Sequence, residues 1–192
     1  MKYLKFKKTS AFSLIEMLLV MGVLAVLLIA VFVIYPQVRS ASVVKQEIQH
    51  LSVLRTGLTT YFESQSQDYS VLGAATETIG TQFANRARLF PVAMNDGNYN
   101  TGNIKNGWGG EVIVHRTSNI YGGYAAGRTF AILWKGVPSE VCADMVIKAE
   151  PMFSNIQVNG TNVMAREGIV TTSTMLDRCQ SSNVVNLTFI SK

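Results

Sequence analysis

An α+β fold is predicted, with a long N-terminal helix laid across an antiparallel β-sheet. Three observations carry this reading. From Met17 to Tyr35 the chain holds no charged residue. Directly after it Val44, Ile48, Leu51, Leu54, Leu58 and Tyr61 recur at steps of three and four, the spacing of one apolar helical stripe. Towards the C-terminus, short alternating or compact apolar runs are separated by turn residues, the pattern of strands.

The elements follow in order. Residues Met1 to Ala11 form a short basic leader. An apolar segment runs from Phe12 to Tyr35, interrupted only by Ser13 and Glu16. At about 1.5 Å per helical residue it reaches across a hydrocarbon core of about 30 Å. Lysines precede it, which places the leader in the cytoplasm and exports the rest. Pro36 stands at the junction with the amphipathic stripe and kinks the helix there without ending it. One bent helix is therefore expected from Phe12 to about Phe62, with Lys45, Gln46, Gln49 and Arg55 on its polar faces. The domain boundaries expected are 1–11 leader, 12–35 apolar half-helix, 36–62 amphipathic half-helix and 63–192 globular head.

Within the head, Glu63 to Gly107 reads as short elements and loops, with a strong turn at Asn95-Asp96-Gly97-Asn98. Strands are expected around Val112 and Val114 and over Thr129 to Trp134. A helix begins near Val137-Pro138-Ser139-Glu140 and carries the stripe Val141, Met145, Val146. Asn159-Gly160 separates Ile156-Gln157-Val158 from Val163-Met164 as a hairpin turn, and Val184 to Ile190 forms a last strand.

The charge excludes one class of partner. The formal net charge is +5, from 17 basic and 12 acidic residues. Lys2, Lys5, Lys7 and Lys8 all lie in the leader, and without them 13 basic residues face 12 acidic ones. The folded part has no basic stripe of the kind nucleic acid requires, so no nucleic-acid partner is expected. Two cysteines, Cys142 and Cys179, are free thiols in a cytosolic protein and one disulfide in an exported one.

Catalytic and metal signatures are absent from the sequence. His50 and His115 stand alone, and two cysteines 37 positions apart without CxxC make no ligand set. Tyr121-Gly122-Gly123-Tyr124-Ala125-Ala126-Gly127 is glycine-rich, but no GKT/S follows it, so it reads as a turn. Asn159-Gly160-Thr161 and Asn186-Leu187-Thr188 match a glycosylation sequon that is short enough to occur by chance, the second in a strand expected to be buried. No cofactor is expected and the chain reads as a non-enzyme.

The leader junction reads Lys7-Lys8-Thr9-Ser10-Ala11-Phe12-Ser13-Leu14-Ile15-Glu16-Met17. This resembles the prepilin signal of type IV pilins and type II secretion pseudopilins. That signal has a basic leader, a small residue, a hydrophobic first mature residue, and a glutamate four places later opening an apolar helix. The resemblance covers about the first fifty residues, and it departs from the pattern at Ala11, where the family has glycine. It implies cleavage between Ala11 and Phe12 by a membrane aspartyl prepilin peptidase, with N-methylation of the Phe12 amine. It also implies an assembly role for Glu16, opposite the amine of a neighbouring subunit's Phe12. A carboxylate in an apolar run costs about 2.5–3.5 kcal/mol on insertion scales, so it must be neutralised or paired with a cation; the alternative is a side chain that reaches back to the cytoplasmic interface. The resemblance further implies a Cys142–Cys179 disulfide closing a C-terminal loop. The element order of the C-terminal half, and Trp108-Gly109-Gly110 entering a strand, are similar to type IVb pilins. The short leader and Phe12 are closer to type IVa.

The function implied is a structural subunit of a type IV pilus or fimbrium. It is held first in the inner membrane, then polymerised by the pilus assembly machinery into an extracellular homopolymer that serves functions such as cell adhesion. A minor pilin or pseudopilin that primes or tips another filament is the alternative with the same helix. A membrane-anchored periplasmic protein, or a secretory signal cut near Ser40-Ala41-Ser42, is the alternative without it.

Overall fold

A computed structural model describes residues 13–31 and 40–192 with their side chains and 32–39 as backbone, apart from 77, 96, 118–126 and 165–168. The expected leader, with Ala11 and Phe12, lies outside the described residues, as does the glycine-rich stretch from Tyr121 to Ala126. The kink expected at Pro36 falls where only backbone is described.

Four helices and five strands make up the described chain. Helix α1 spans Leu14–Glu63, 50 residues, and takes in both the uncharged run and the amphipathic stripe. The chain divides into two compact units between Ser40 and Ala41. In the first, the window Leu14–Val31 has a mean hydropathy of 2.9 and no buried residue. Eighteen helical residues extend about 27 Å, close to the thickness of a hydrocarbon core.

The second unit is a head built on one antiparallel sheet. Its strands are β1 (Val112–Arg116), β2 (Phe130–Pro138), β3 (Asn155–Val158), β4 (Thr161–Asn162) and β5 (Val184–Ser191), in the order β1-β2-β5-β3-β4. The C-terminal strand is therefore central, paired on one side with β2 and on the other with β3. Alternation sets the faces. Val112, Val114, Phe130, Ile132, Trp134, Leu187 and Phe189 all lie in the core, whereas Val184 and Asn186 of the same β5 strand are exposed.

The C-terminal half of α1 closes this core. Val44, Leu51, Leu54, Leu58 and Phe62 are all buried in one cluster with the sheet residues and with Val141, Met145 and Val146 of α3 (Ser139–Ala149). Tyr61, placed on the stripe by the sequence, is 39% exposed, and Phe62 takes the buried position instead. The step from Leu58 is four rather than three, which keeps the stripe aligned with a period of 3.6. Phe62 then packs against Tyr69, and Tyr69 against Phe130 of β2.

Three further expectations are corrected. Cys179, which the sequence places in a loop before the last strand, ends α4 (Thr172–Cys179). The Asn159-Gly160 turn exists, with both residues at positive φ (49° and 77°), the type I′ hairpin geometry. Its second strand is Thr161–Asn162, while Met164 makes an isolated bridge to Val170. Asn186 lies in the expected strand, but its side chain is exposed, and its Oδ1 accepts a hydrogen bond from the Gly136 N–H. The stretch read as short elements and loops holds α2 (Ile79–Arg86), packed so closely on β1 that a Cβ at Gly80 would fall 2.2 Å from the Val114 carbonyl oxygen.

Candidate functional site

Glu16 opens α1. Its backbone N–H and that of Met17 donate to the Ser13 carbonyl at 3.0 and 3.2 Å, which starts the helix. Its carboxylate lies in the first helical turn, where the helix dipole favours negative charge. Among Leu14 to Val31 it is the one charged residue, and the large apolar side chains around it are mostly more than half exposed. A helix surface of this kind is unstable in water. It calls for lipid or for other apolar helices, where a lone carboxylate is costly unless it is neutralised or paired.

The amphipathic half of α1 is seated on the head by polar contacts as well as by apolar burial. Glu47 lies on the buried stripe, at 2% exposure. Its Oε2 accepts a hydrogen bond from Trp134 Nε1 of β2 at 2.9 Å, and its Oε1 lies 3.3 Å from His50 Nδ1, a close approach rather than an aligned hydrogen bond. Further along, Arg55 Nε donates to Ser191 Oγ at the end of β5, and its guanidinium lies over the Phe153 ring. Neither residue stood out in the sequence as a site. The signal that could have found Glu47 is its spacing, three residues after Val44 and four before Leu51. Arg55, assigned to a polar face, is in fact half-buried against the head.

The turn from Asn106 to Gly110 packs beside this seat. Asn106 Oδ1 accepts from the Trp108 and Gly110 N–H groups, and its Nδ2 donates to the Lys135 carbonyl. Gly110 comes so near β2 that a Cβ would lie 1.8 Å from the Lys135 oxygen. Gly110 thus has a steric cause, whereas Gly109 stands at a positive φ of 81°.

Cys142 of α3 and Cys179 of α4 are joined in a disulfide, with Cα atoms 5.6 Å apart, and both are buried. The two histidines are not brought together: His50 contacts Glu47, and His115 lies on β1 with its Nδ1 against the Arg116 carbonyl. Among the described residues no group of three or more His, Cys, Asp or Glu side chains is arranged to hold a metal ion.

The family model described as PilS N terminal matches residues 41–192. The chain belongs to this family. Residues 6–32 also match the prokaryotic N-terminal methylation motif, so the PilS-type head is preceded by a prepilin signal. The structure is similar to the type IV b pilin from Salmonella typhi, with a TM-score of 0.54 and 19% identity over 76% of this chain and 97% of that one. It is also similar to TcpA, a type IV pilin from Vibrio cholerae El Tor biotype, with a TM-score of 0.55 and 15% identity over 79% and 99% of the two chains. No curated protein sequence matches. The chain therefore has the type IV pilin fold: an N-terminal helix, a five-stranded antiparallel sheet and a disulfide in the C-terminal half.

Proposed function

We propose that this PilS-family chain is the structural subunit of a type IV pilus, and that it polymerises through the apolar half of α1. The observation that carries the proposal is the single carboxylate, Glu16, at the start of a membrane-length apolar helix none of whose residues from Leu14 to Val31 is buried. The precursor, with residues 1–11 as leader, sits in the inner membrane through residues 12–35. Residues 36–62 seat the helix on the head, 63–192. A prepilin peptidase cuts between Ala11 and Phe12, alanine being the least drastic change from glycine in size. The new Phe12 amine is N-methylated and pairs with Glu16 of a neighbouring copy.

The apolar half-helix then leaves lipid for the filament core. Helix packing replaces lipid contacts at little hydrophobic cost, and a repeated head-to-tail contact that does not close generates a filament. The assembled homopolymer is extracellular and its role is structural rather than enzymatic.

Two measurements test this together. Mass spectrometry of the mature N-terminus should find a methylated Phe12, and filaments sheared from cells should consist mainly of this chain. A mature terminus near Ser42 contradicts the proposal. Filaments containing only traces of the chain assign it to priming or tipping a filament built by another subunit.

A further inference from the structure

One residue of the membrane-length segment has no cause among the described residues of the subunit. Gly22 stands among leucine, valine and isoleucine, although glycine is among the poorest helix formers. A Cβ added there would meet nothing within 4 Å, so packing among the described residues does not require its absence. Leu19, Val23, Val26 and Leu27 stand around it and form a shallow apolar notch. Glu16 lies three residues before Leu19 and seven before Val23, so the carboxylate heads the same helical face.

We infer that the Gly22 notch is where the apolar helix of a second copy comes closest, and that it sets the axial register in which that copy's Phe12 amine meets Glu16. The inference rests on the proposed polymerisation and adds a residue that determines its geometry. A lipid chain conforms to whatever side chains it meets and gives no reason to omit a Cβ. A rigid helix does, because apolar helices approach closely where a small residue stands. Glu16 selects the same occupant by charge, since a carboxylate at the head of an apolar groove needs a cation delivered at a fixed depth.

The test compares the full-length chain with Gly22→Ala and Gly22→Leu in cells, reading the ratio of sheared filament to membrane-held subunit. The ratio should fall at least threefold with Gly22→Ala and at least tenfold with Gly22→Leu, at unchanged membrane levels. A wild-type ratio in Gly22→Leu overturns the inference. If Gly22→Leu is lost from the membrane, Gly22→Ala decides alone, because alanine favours the helix; a ratio within twofold of wild type then overturns it. A fall in membrane level with an unchanged ratio assigns the notch to lipid and overturns it also. Absence of filaments from the unsubstituted chain contradicts the function proposed above and takes this inference with it.

Discussion

Glu47 is the buried residue whose energetics are most exposed to test. Burying a carboxylate is costly unless its oxygens are engaged, and here Trp134 Nε1 donates to Oε2 while His50 Nδ1 only approaches Oε1 at 3.3 Å. Glu47→Gln keeps an acceptor for the indole and should cost little. Glu47→Ala strands the buried indole N–H and should cost about 1–3 kcal/mol, read as a lowered denaturation midpoint. His115 supplies a pH dependence. Burial holds its imidazole below the ordinary value of 6.5, opposed by the hydrogen bond to the Arg116 carbonyl. The unfolded chain therefore takes up the proton at higher pH than the folded one. The contribution to stability is present above pH 6.5 and is lost as the pH falls below it. The thermal midpoint should drop on acidification through that range, and His115→Gln should flatten the drop.

At the level of elements, the disulfide and the helix seat separate two sources of stability. Cys142 and Cys179 tie the facing ends of α3 and α4. Replacing both with alanine should cost about 2–4 kcal/mol by freeing the unfolded chain, measured as the change in unfolding free energy under non-reducing conditions. Leu54 lies fully buried between helix and sheet, and Leu54→Ala should cost about 2–5 kcal/mol through the cavity it leaves. These elements were unequally legible. The long helix, the sheet strands and α3 could be read from periods of 3.6 and 2, because long stretches repeat the pattern. Helix α2 could not: Ile79 is exposed while Gly80 and Thr81 are buried, so burial follows close backbone approach rather than apolar spacing. Thr81 is there to accept a hydrogen bond from the Val114 N–H, a long-range requirement that no local pattern contains. The turn at Asn106 likewise depends on Lys135, 29 residues away. Glu16 was legible because charge in an apolar run is conspicuous, whereas Glu47 has other polar residues beside it and only its spacing between Val44 and Leu51 marks it.

At the scale of the molecule, the head leaves strand addition little room as a route to polymer. The outer side of β1 is occupied: Val112 N–H donates to the Ile104 carbonyl, Val114 N–H to Thr81 Oγ1 and Arg116 N–H to the Gly73 carbonyl. On the other side β3 is covered by β4, with Val163 N–H on the Ile156 carbonyl. Edges managed in this way resist pairing with further strands. Among the described residues, the longest exposed apolar run is the helix from Leu14 to Val31, with one carboxylate near its start. Polymerisation through this helix depends on that carboxylate in the proposed function, and the most direct test is Glu16→Ala in the full chain, comparing sheared filament with total membrane-held subunit. Membrane insertion should be unchanged or improved, because a charge leaves the apolar run. The head should unfold as in wild type. Filament yield per membrane-held subunit should fall at least tenfold, because breaking one side of a buried pair costs about 3–5 kcal/mol. A wild-type filament yield from Glu16→Ala would contradict the account.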